Sequence, residues 1–280
     1  MSNESKDALN QAVTVGEVSF AFRRFGAENG VPLVLLQRFR GTMDDWDPDL
    51  LDALAATRPV IIFDNEGIGR SSGRTPPTVE GMAEGAARFI TTLGRRTVDI
   101  LGWSLGGSVG QALALSRPDL VRKLVVAGSS PGHVQDAPAV PPKVWQVAGK
   151  LENEDEDFLY LFFRETEAGR QAGRAHLARL RQRPEAFTNP VSLQSMQAQA
   201  AAIAAFSEPG TSLLEALANL ACPAFVANGY DDVMVPAFKS YVMAHAMPRA
   251  KLTIYPDSGH GFLFQYAREF AQDISIFFDN

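Results

Sequence analysis

The chain has 280 residues, of which 46% are hydrophobic, enough to bury the core of one large domain or of one domain with an insertion. Its 26 Lys and Arg residues against 32 Asp and Glu residues give a formal net charge of -6 without a dense basic tract, which argues against a nucleic-acid partner. Cys222 is the only cysteine, which excludes an intrachain disulfide; with no signal-peptide pattern and no run of roughly 18 apolar residues, we expect a soluble cytoplasmic protein with no membrane partner.

Seven segments have the patterns of β-strands. The segment VSFAFRRFG places Val18, Phe20 and Phe22 on one face, which predicts an antiparallel edge strand with its other face in water. Six later runs are almost continuously apolar, which is typical of parallel strands that are covered on both faces. These runs are residues 32–36, 59–64, 98–103, 123–128, 223–229 and 251–256.

Helical patterns alternate with these strands. Residues 78–94 space their apolar side chains three and four positions apart, the period of an amphipathic helix packed on a sheet. Similar helices are predicted over 105–117, 237–247 and 264–279. The alternation indicates an α/β fold class with a doubly wound, mostly parallel sheet and right-handed crossovers.

The alternation stops between about residues 133 and 210. This segment begins with a Pro-rich stretch, continues with acidic and aromatic runs, and contains a strongly helix-prone stretch over 191–206. We therefore predict a core formed by residues 1–132 and 211–280 with a helical insertion over 133–210. The acidic run 152–157 is interpreted as a solvated face or a helix start rather than a binding site for a metal or an amino group.

The stretch VDILGWSLGGSVGQ contains the first candidate catalytic residue. A strand that ends in Gly-x-Ser-x-Gly and continues into a helix is typical of a nucleophile elbow, in which Gly102 and Gly106 permit a sharp turn that exposes the hydroxyl of Ser104. The helix that follows offers unpaired N–H groups and a positive dipole end beside this serine. A strand-to-helix turn without a catalytic role could use similar glycines, so this motif alone does not show whether Ser104 is a nucleophile.

Two later loops supply partners for this serine. Asp232 follows the strand over 223–229, and His260 lies between two glycines after the last strand. Because the carboxyl ends of parallel strands meet at one edge of the sheet, these residues are expected near Ser104. The chain order Ser, Asp, His is that of the acyl-transfer triad on such a sheet. The alternative for His260 is an ordinary surface turn.

Together with the segment VIIFDNEGIGRSSG, these motifs resemble those of the α/β-hydrolase family, and the resemblance covers essentially the whole chain. It implies an α/β-hydrolase fold in which residues 133–210 form the cap that shapes the substrate pocket; residues 157–180 look like a cap segment of bacterial members. The family's spacing from a glycine to a proline, here Gly229 and Pro236, selects Asp232 rather than Asp231 as the acid. The matched positions in VIIFDNEGIGRSSG are Asp64, Gly67, Gly69 and Ser71.

The chain departs from the family after the strand over 32–36. The family usually has His-Gly where this chain has Gln37 and Arg38. The resemblance implies that the backbone N–H groups of Phe39 and Leu105 form the oxyanion hole. With Arg38 in the place of a glycine, the shape of the loop that carries Phe39 stays open.

Several other residues are candidates for the substrate pocket. Arg38 and Arg40 are interpreted as ion-pair partners of nearby aspartates, with an anionic substrate as the alternative. Trp103 either lines the pocket or packs under the elbow. No histidine outside the predicted triad has an acidic or cysteine companion at metal-ligand spacing, so structural or surface roles are expected. The aspartates are Asp44, Asp45 and Asp47, and the histidines are His133, His176 and His245.

The resemblance implies a serine hydrolase that acts on a small or medium ester-like substrate, a carboxylic ester or lactone, without a metal, nucleotide or flavin. Ser104 would attack the carbonyl, His260 would carry the proton, and Asp232 would orient the imidazole. The bond cleaved stays open, because similar chains also cleave amides and carbon-carbon bonds of diketones. The alternatives are a cofactor-free perhydrolase similar to bacterial haloperoxidases and a non-catalytic ligand receptor on this scaffold; the oligomeric state is not predicted.

Overall fold

A sheet of eight strands organises the chain in the computed structural model, which describes residues 4–94, 96–183 and 188–280. The strands are β1 (Gln11–Val15), β2 (Val18–Gly26), β3 (Leu33–Leu36), β4 (Pro59–Phe63), β5 (Val98–Trp103), β6 (Val121–Ala127), β7 (Ala224–Gly229) and β8 (Ala250–Tyr255). Their order is β1-β2-β4-β3-β5-β6-β7-β8, with β3 to β8 parallel and β1 and β2 antiparallel. The predicted α/β fold with a mostly parallel sheet is confirmed.

The prediction that residues 18–26 form an edge strand is wrong. β2 pairs with β4 on one side, and on the other it pairs with β1, which forms the edge. β1 has only five residues and is largely exposed, so its apolar pattern is weak. The two strands are joined by a hairpin turn at Gly16, which has φ of 61°. This glycine is the sequence feature that could have indicated β1.

The parallel strands carry the core. β3, β4, β5 and β7 are buried along their whole length, as their continuous apolar runs predicted. β8 is the opposite edge of the sheet and stays partly exposed, so the expectation that it is covered on both faces is wrong. The carboxyl ends of β5, β7 and β8 lie at the same edge of the sheet, where the candidate residues follow them.

Helices cover the sheet and form the segment between β6 and β7. They are α1 (Pro48–Ala55), α2 (Val79–Thr92), α3 (Leu105–Ser116), α4 (Pro142–Ala148), α5 (Asp155–Phe162), α6 (Glu167–Leu180), α7 (Leu193–Phe206), α8 (Leu214–Leu217), α9 (Ala237–Ala246), α10 (Phe262–Gln265) and α11 (Ala267–Asp279). The predicted helices over 78–94, 105–117 and 237–247 are confirmed. The one predicted over 264–279 is interrupted at Tyr266, between α10 and α11.

The segment between β6 and β7 contains α4 to α8, and α4 to α7 lie within residues 133–210, where helices were predicted. Its acidic run leads into α5, where Glu154 and Asp157 form a capping box and Lys150 pairs with Asp157 at 2.7 Å. The division of the chain at residues 133 and 210 stays a prediction. Contacts with the core fix α6, since His176 lies 2.6 Å from Asp47 at the start of α1.

Candidate active site

Ser104 lies at a sharp turn between β5 and α3. Its backbone has φ of 56° and ψ of -122°, a conformation that L-residues rarely adopt and that is maintained here by its surroundings. Its N–H donates to the carbonyl of Ala127 at 2.9 Å, and its own carbonyl accepts from the Ser129 hydroxyl at 2.6 Å. The strained turn is therefore tied to the end of β6 on both sides of the serine.

The glycines around Ser104 are required by close backbone contacts. A Cβ atom at Gly106 would lie 2.1 Å from the Leu36 carbonyl oxygen, and one at Gly102 would lie 2.3 Å from the Gly106 carbonyl oxygen. Neither contact can be relieved by turning a side chain, because both partners are backbone atoms. The Gly-x-Ser-x-Gly spacing in this chain is thus what allows the end of β5 and the start of α3 to pack.

His260 and Asp232 form a buried pair. The imidazole Nδ1 donates to Oδ2 of Asp232 over 2.7 Å. The other carboxylate oxygen, Oδ1, accepts from the backbone N–H groups of Met234 and Val235, both at 2.8 Å. The indole N–H of Trp103 donates to the His260 carbonyl at 3.1 Å. The ring and the carboxylate are therefore both fixed in orientation.

The second ring nitrogen of His260 does not take part in this pair. Its Nε2 is buried and has no hydrogen-bond partner among the described residues. His260 and Ser104 line the same cavity of about 30 Å³, together with side chains from α5. The structure thus brings Ser104, Asp232 and His260 to one site, with Ser104 and His260 on the same cavity and no hydrogen bond between them.

Asp231, the alternative acid, is placed differently from Asp232. Its carboxylate pairs with Arg164 at 3.0 Å and is partly exposed, whereas Asp232 is buried against the imidazole. Arg164 also pairs with Asp257, so this guanidinium connects two loops of the sheet edge to the end of α5. Asp231 and Asp257 therefore lie in a surface ion-pair network.

Phe39 and Leu105 lie next to the space beside Ser104. Phe39 and Leu105 line, with Ser104, a second cavity of about 480 Å³. Among the hydrogen bonds between described residues, neither of their N–H groups has an acceptor. Leu105 is the first residue of α3, where an unpaired N–H is expected and the helix dipole is positive.

Arg38, the departure from the family pattern, is buried and holds the loop that carries Phe39. Its guanidinium donates to the Phe39 carbonyl and to Asp45, both at 2.8 Å. Burial lowers the pKa of this guanidinium, and the charge of Asp45 opposes that shift. The predicted ion pair with a nearby aspartate is therefore present. Arg38 also contributes to the wall of the smaller cavity.

Arg40 and Trp103 have packing roles in the structure. Arg40 donates to three carbonyls that follow or end α4, and so ties the loop after β3 to the segment between β6 and β7 instead of pairing with an aspartate. Trp103 is fully buried and lines neither cavity that reaches Ser104. Its ring contacts Phe162 and Phe264, which corresponds to packing beneath the elbow.

Two features of this region had no role in the sequence interpretation. Lys239, in the first turn of α9, and Ser129, at the end of β6, both line the larger cavity. A lysine after Pro236 has no sequence signal that separates it from a surface lysine. His176 was expected to have a structural or surface role; it is buried, bonds to Asp47 and stacks on Phe264 with ring centroids 4.3 Å apart, which corresponds to a structural role.

Features of other kinds of site are absent from the described ranges 4–94, 96–183 and 188–280. No group of three or more His, Cys, Asp or Glu side chains there is arranged to hold a metal ion. Burial raises the pKa of the Cys222 thiol to about 11, which keeps it protonated and poorly nucleophilic near neutral pH. None of the helices in this part of the chain has the length and apolar character needed to span a membrane.

Comparison with known proteins shows the family of the chain. The family model for the alpha/beta hydrolase fold matches residues 31–266. The chain belongs to this family. A solved structure of an alpha/beta hydrolase fold protein from Chitinophaga pinensis superposes with a TM-score of 0.91 and 36% identity, covering 100% of both chains.

Curated relatives carry several activity names. A protein provisionally named a carbamate hydrolase, from Azorhizobium caulinodans, is 26% identical over 267 residues, covering 88% of this chain and 90% of that protein. A poly(3-hydroxyalkanoate) depolymerase from Ectopseudomonas oleovorans is 27% identical over 256 residues, with coverages of 91% and 86%. These names differ in the bond that is cleaved, while the hydrolase family is common to them.

Proposed function

We propose that this protein is a serine hydrolase that cleaves a small or medium carboxylic ester or lactone through an acyl-enzyme. The observation that carries the proposal is the 2.7 Å hydrogen bond between His260 and Asp232, with the second imidazole nitrogen unpartnered in a cavity shared with Ser104. This arrangement provides a nucleophile, a proton acceptor and a group that orients the acceptor. The residues 133–210 would cover this site as the predicted cap.

Acylation uses each of these groups. The Ser104 oxygen forms a bond to the carbonyl carbon while its proton passes to Nε2 of His260, and the carbonyl electrons move to the oxygen. When the tetrahedral intermediate collapses, the bond to the leaving oxygen breaks, and that oxygen takes the proton from His260. The buried carboxylate of Asp232 stabilises the imidazolium that exists between these two transfers.

Deacylation repeats the sequence with water. His260 removes a proton from the attacking water, the ester bond to Ser104 breaks, and the serine oxygen recovers its proton from the imidazole. The products are a carboxylic acid and an alcohol, or a hydroxy acid from a lactone. No oxidant, reductant or other co-reactant is needed.

The developing oxyanion would be stabilised by the backbone N–H groups of Phe39 and Leu105. Both residues line the cavity beside Ser104, and their N–H groups lack acceptors among the described residues, so they would bind the oxyanion without breaking a hydrogen bond. Arg38 supports this function by holding the Phe39 carbonyl. Its pairing with Asp45 restrains the loop at the position where the family usually has a glycine.

The test is hydrolysis of p-nitrophenyl esters and lactones of graded chain length by the wild-type protein and by Ser104→Ala. Turnover should fall by at least about three orders of magnitude in Ser104→Ala, because this variant lacks the hydroxyl on which the proposed acyl-enzyme forms. Ser108→Ala is the matched control, since Ser108 lines the same cavity but bonds to the Ser130 carbonyl. Equal activity of wild type and Ser104→Ala, or no turnover of any ester or lactone by the wild type, would overturn the proposal.

The same assay separates the rival functions. With hydrogen peroxide and bromide in acetate buffer, a perhydrolase would accumulate peracid and oxidise bromide faster than it hydrolyses the esters. A non-catalytic receptor would bind ester ligands without releasing acid. If the protein is a serine hydrolase, it releases acid from the esters that it binds. This release is faster than the peroxide-dependent oxidation of bromide.

A further inference from the structure

Lys239 is a cation without a partner in the described part of the chain. It lies in the first turn of α9, where a positive charge opposes the helix dipole. Its ammonium has no acceptor within hydrogen-bond or ion-pair distance among those residues. Burial lowers the pKa of this ammonium, and no carboxylate among the described residues offsets the desolvation. The position is unfavourable for a lysine unless something else compensates for the charge.

The surroundings of Lys239 connect it to the candidate active site. It lines the cavity of about 480 Å³ that is also lined by Ser104, Phe39 and Leu105. Most of that cavity is apolar, with side chains from α4 and α7 forming much of its wall. Glu208 also lines this cavity but is exposed and does not pair with Lys239. A ligand group that enters from Ser104 would therefore meet an uncompensated positive charge.

The two cavities at Ser104 indicate which part of the substrate faces Lys239. His260 lines the smaller cavity, of about 30 Å³, and Lys239 lines the larger one. Because His260 has to deliver a proton to the leaving oxygen, the leaving group belongs on the His260 side. The acyl group then extends into the larger cavity, toward Lys239.

We propose, on the basis of the serine hydrolase function above, that Lys239 binds a carboxylate at the far end of the acyl group. The preferred substrates are then half-esters of dicarboxylic acids with a small alcohol, or the corresponding carboxylated lactones. A charge-assisted hydrogen bond in a mostly apolar cavity is stronger than one in water. An acyl group with a terminal carboxylate should therefore bind more tightly than a neutral acyl group. The effect resides in substrate binding rather than in the chemical step.

The experiment compares matched methyl esters by proton release. Monomethyl succinate, glutarate and adipate are measured against methyl butanoate, pentanoate and hexanoate, which replace the terminal carboxylate by a methyl group. The wild type should show kcat/KM at least about tenfold higher for one half-ester than for its neutral match. In Lys239→Met this preference should disappear through a higher KM, while turnover of the neutral esters stays within about threefold. Lys239→Arg should retain part of the preference.

Lys251→Met is the matched control, because Lys251 is exposed on β8 and its removal changes the net charge equally. It should leave the preference unchanged. Neutral esters that are hydrolysed as well as half-esters, or a preference that survives in Lys239→Met, would overturn this inference and leave the serine hydrolase proposal intact. Failure of the wild type to hydrolyse both series and the p-nitrophenyl esters would overturn both proposals.

Discussion

Replacement of Asp232 by Asn tests the proposed triad at the residue where the structure is most specific. In the wild type, Oδ1 accepts two backbone N–H groups at 2.8 Å and Oδ2 faces the imidazole at 2.7 Å. The amide oxygen of an asparagine has to occupy the Oδ1 position, because an NH2 group there would face two donors. The amide NH2 then faces Nδ1 of His260.

This orientation determines the size of the effect. An NH2 group opposite Nδ1 makes that nitrogen an acceptor, which places the imidazole proton on Nε2 and removes the base that Ser104 needs. Turnover should therefore fall by about three to four orders of magnitude, equivalent to roughly 4 to 5 kcal/mol in the activation barrier. Both backbone hydrogen bonds to the side-chain oxygen survive, so the variant should stay folded.

The assay is hydrolysis of whichever ester the wild type accepts, with circular dichroism and thermal unfolding as controls for folding. Asp231→Asn is the matched control: its carboxylate pairs with Arg164 at the surface, and its loss should reduce turnover by less than about tenfold. A folded Asp232→Asn with nearly wild-type turnover would refute the reasoning. A large loss in Asp231→Asn alone would transfer the role of the acid to that residue.

Two further predictions concern the elbow and the contact between α6 and the core. Gly106→Ala should lower the free energy of unfolding by roughly 1 to 3 kcal/mol in urea titrations and reduce activity, because its Cβ would meet the Leu36 carbonyl. In the control Gly110→Ala the new Cβ meets the movable end of the Leu124 side chain, so the free energy of unfolding should change by less than about 1 kcal/mol. Equal effects of the two substitutions would contradict this account. Burial lowers the pKa of His176 below its ordinary value of 6.5, although its contacts with Asp47 act in the opposite direction. Between pH 6.5 and that lowered value the unfolded chain binds a proton that the folded chain does not, so the free energy of unfolding should decrease on acidification below pH 6.5, and the decrease should be smaller in His176→Gln. An identical pH dependence of urea unfolding in both proteins would show that His176 does not contribute.

The sequence predicted those parts of the fold and site that depend on local patterns. Continuous apolar runs marked the parallel strands, and glycine spacing marked the turn at Ser104, because a backbone contact at that turn excludes any Cβ atom. The loops after β7 and β8 could be matched to the serine because parallel strands present their carboxyl ends together. The pairing of Asp232 with His260 followed from this and from the family spacing.

Features that depend on contacts between distant segments were not predictable in the same way. The edge position of β1 depends on pairing with β2, and five partly exposed residues carry little apolar signal. Arg40 bonds to carbonyls more than 100 positions away, whereas sequence proximity pointed to aspartates. Lys239 lines one cavity with Ser104 and with side chains of α4 and α7, and no local sequence pattern predicts that these distant segments meet.

Covalent labelling by a fluorophosphonate, followed by intact-mass measurement and peptide mapping, tests most directly whether Ser104 is an activated nucleophile. The folded wild type should gain a single adduct on the peptide that contains Ser104, Ser104→Ala should gain none, and Asp232→Asn should be labelled far more slowly. Denatured wild-type protein should not react, because activation requires His260 beside the serine. A label on another residue, or equal labelling of the wild type and Ser104→Ala, would contradict the account.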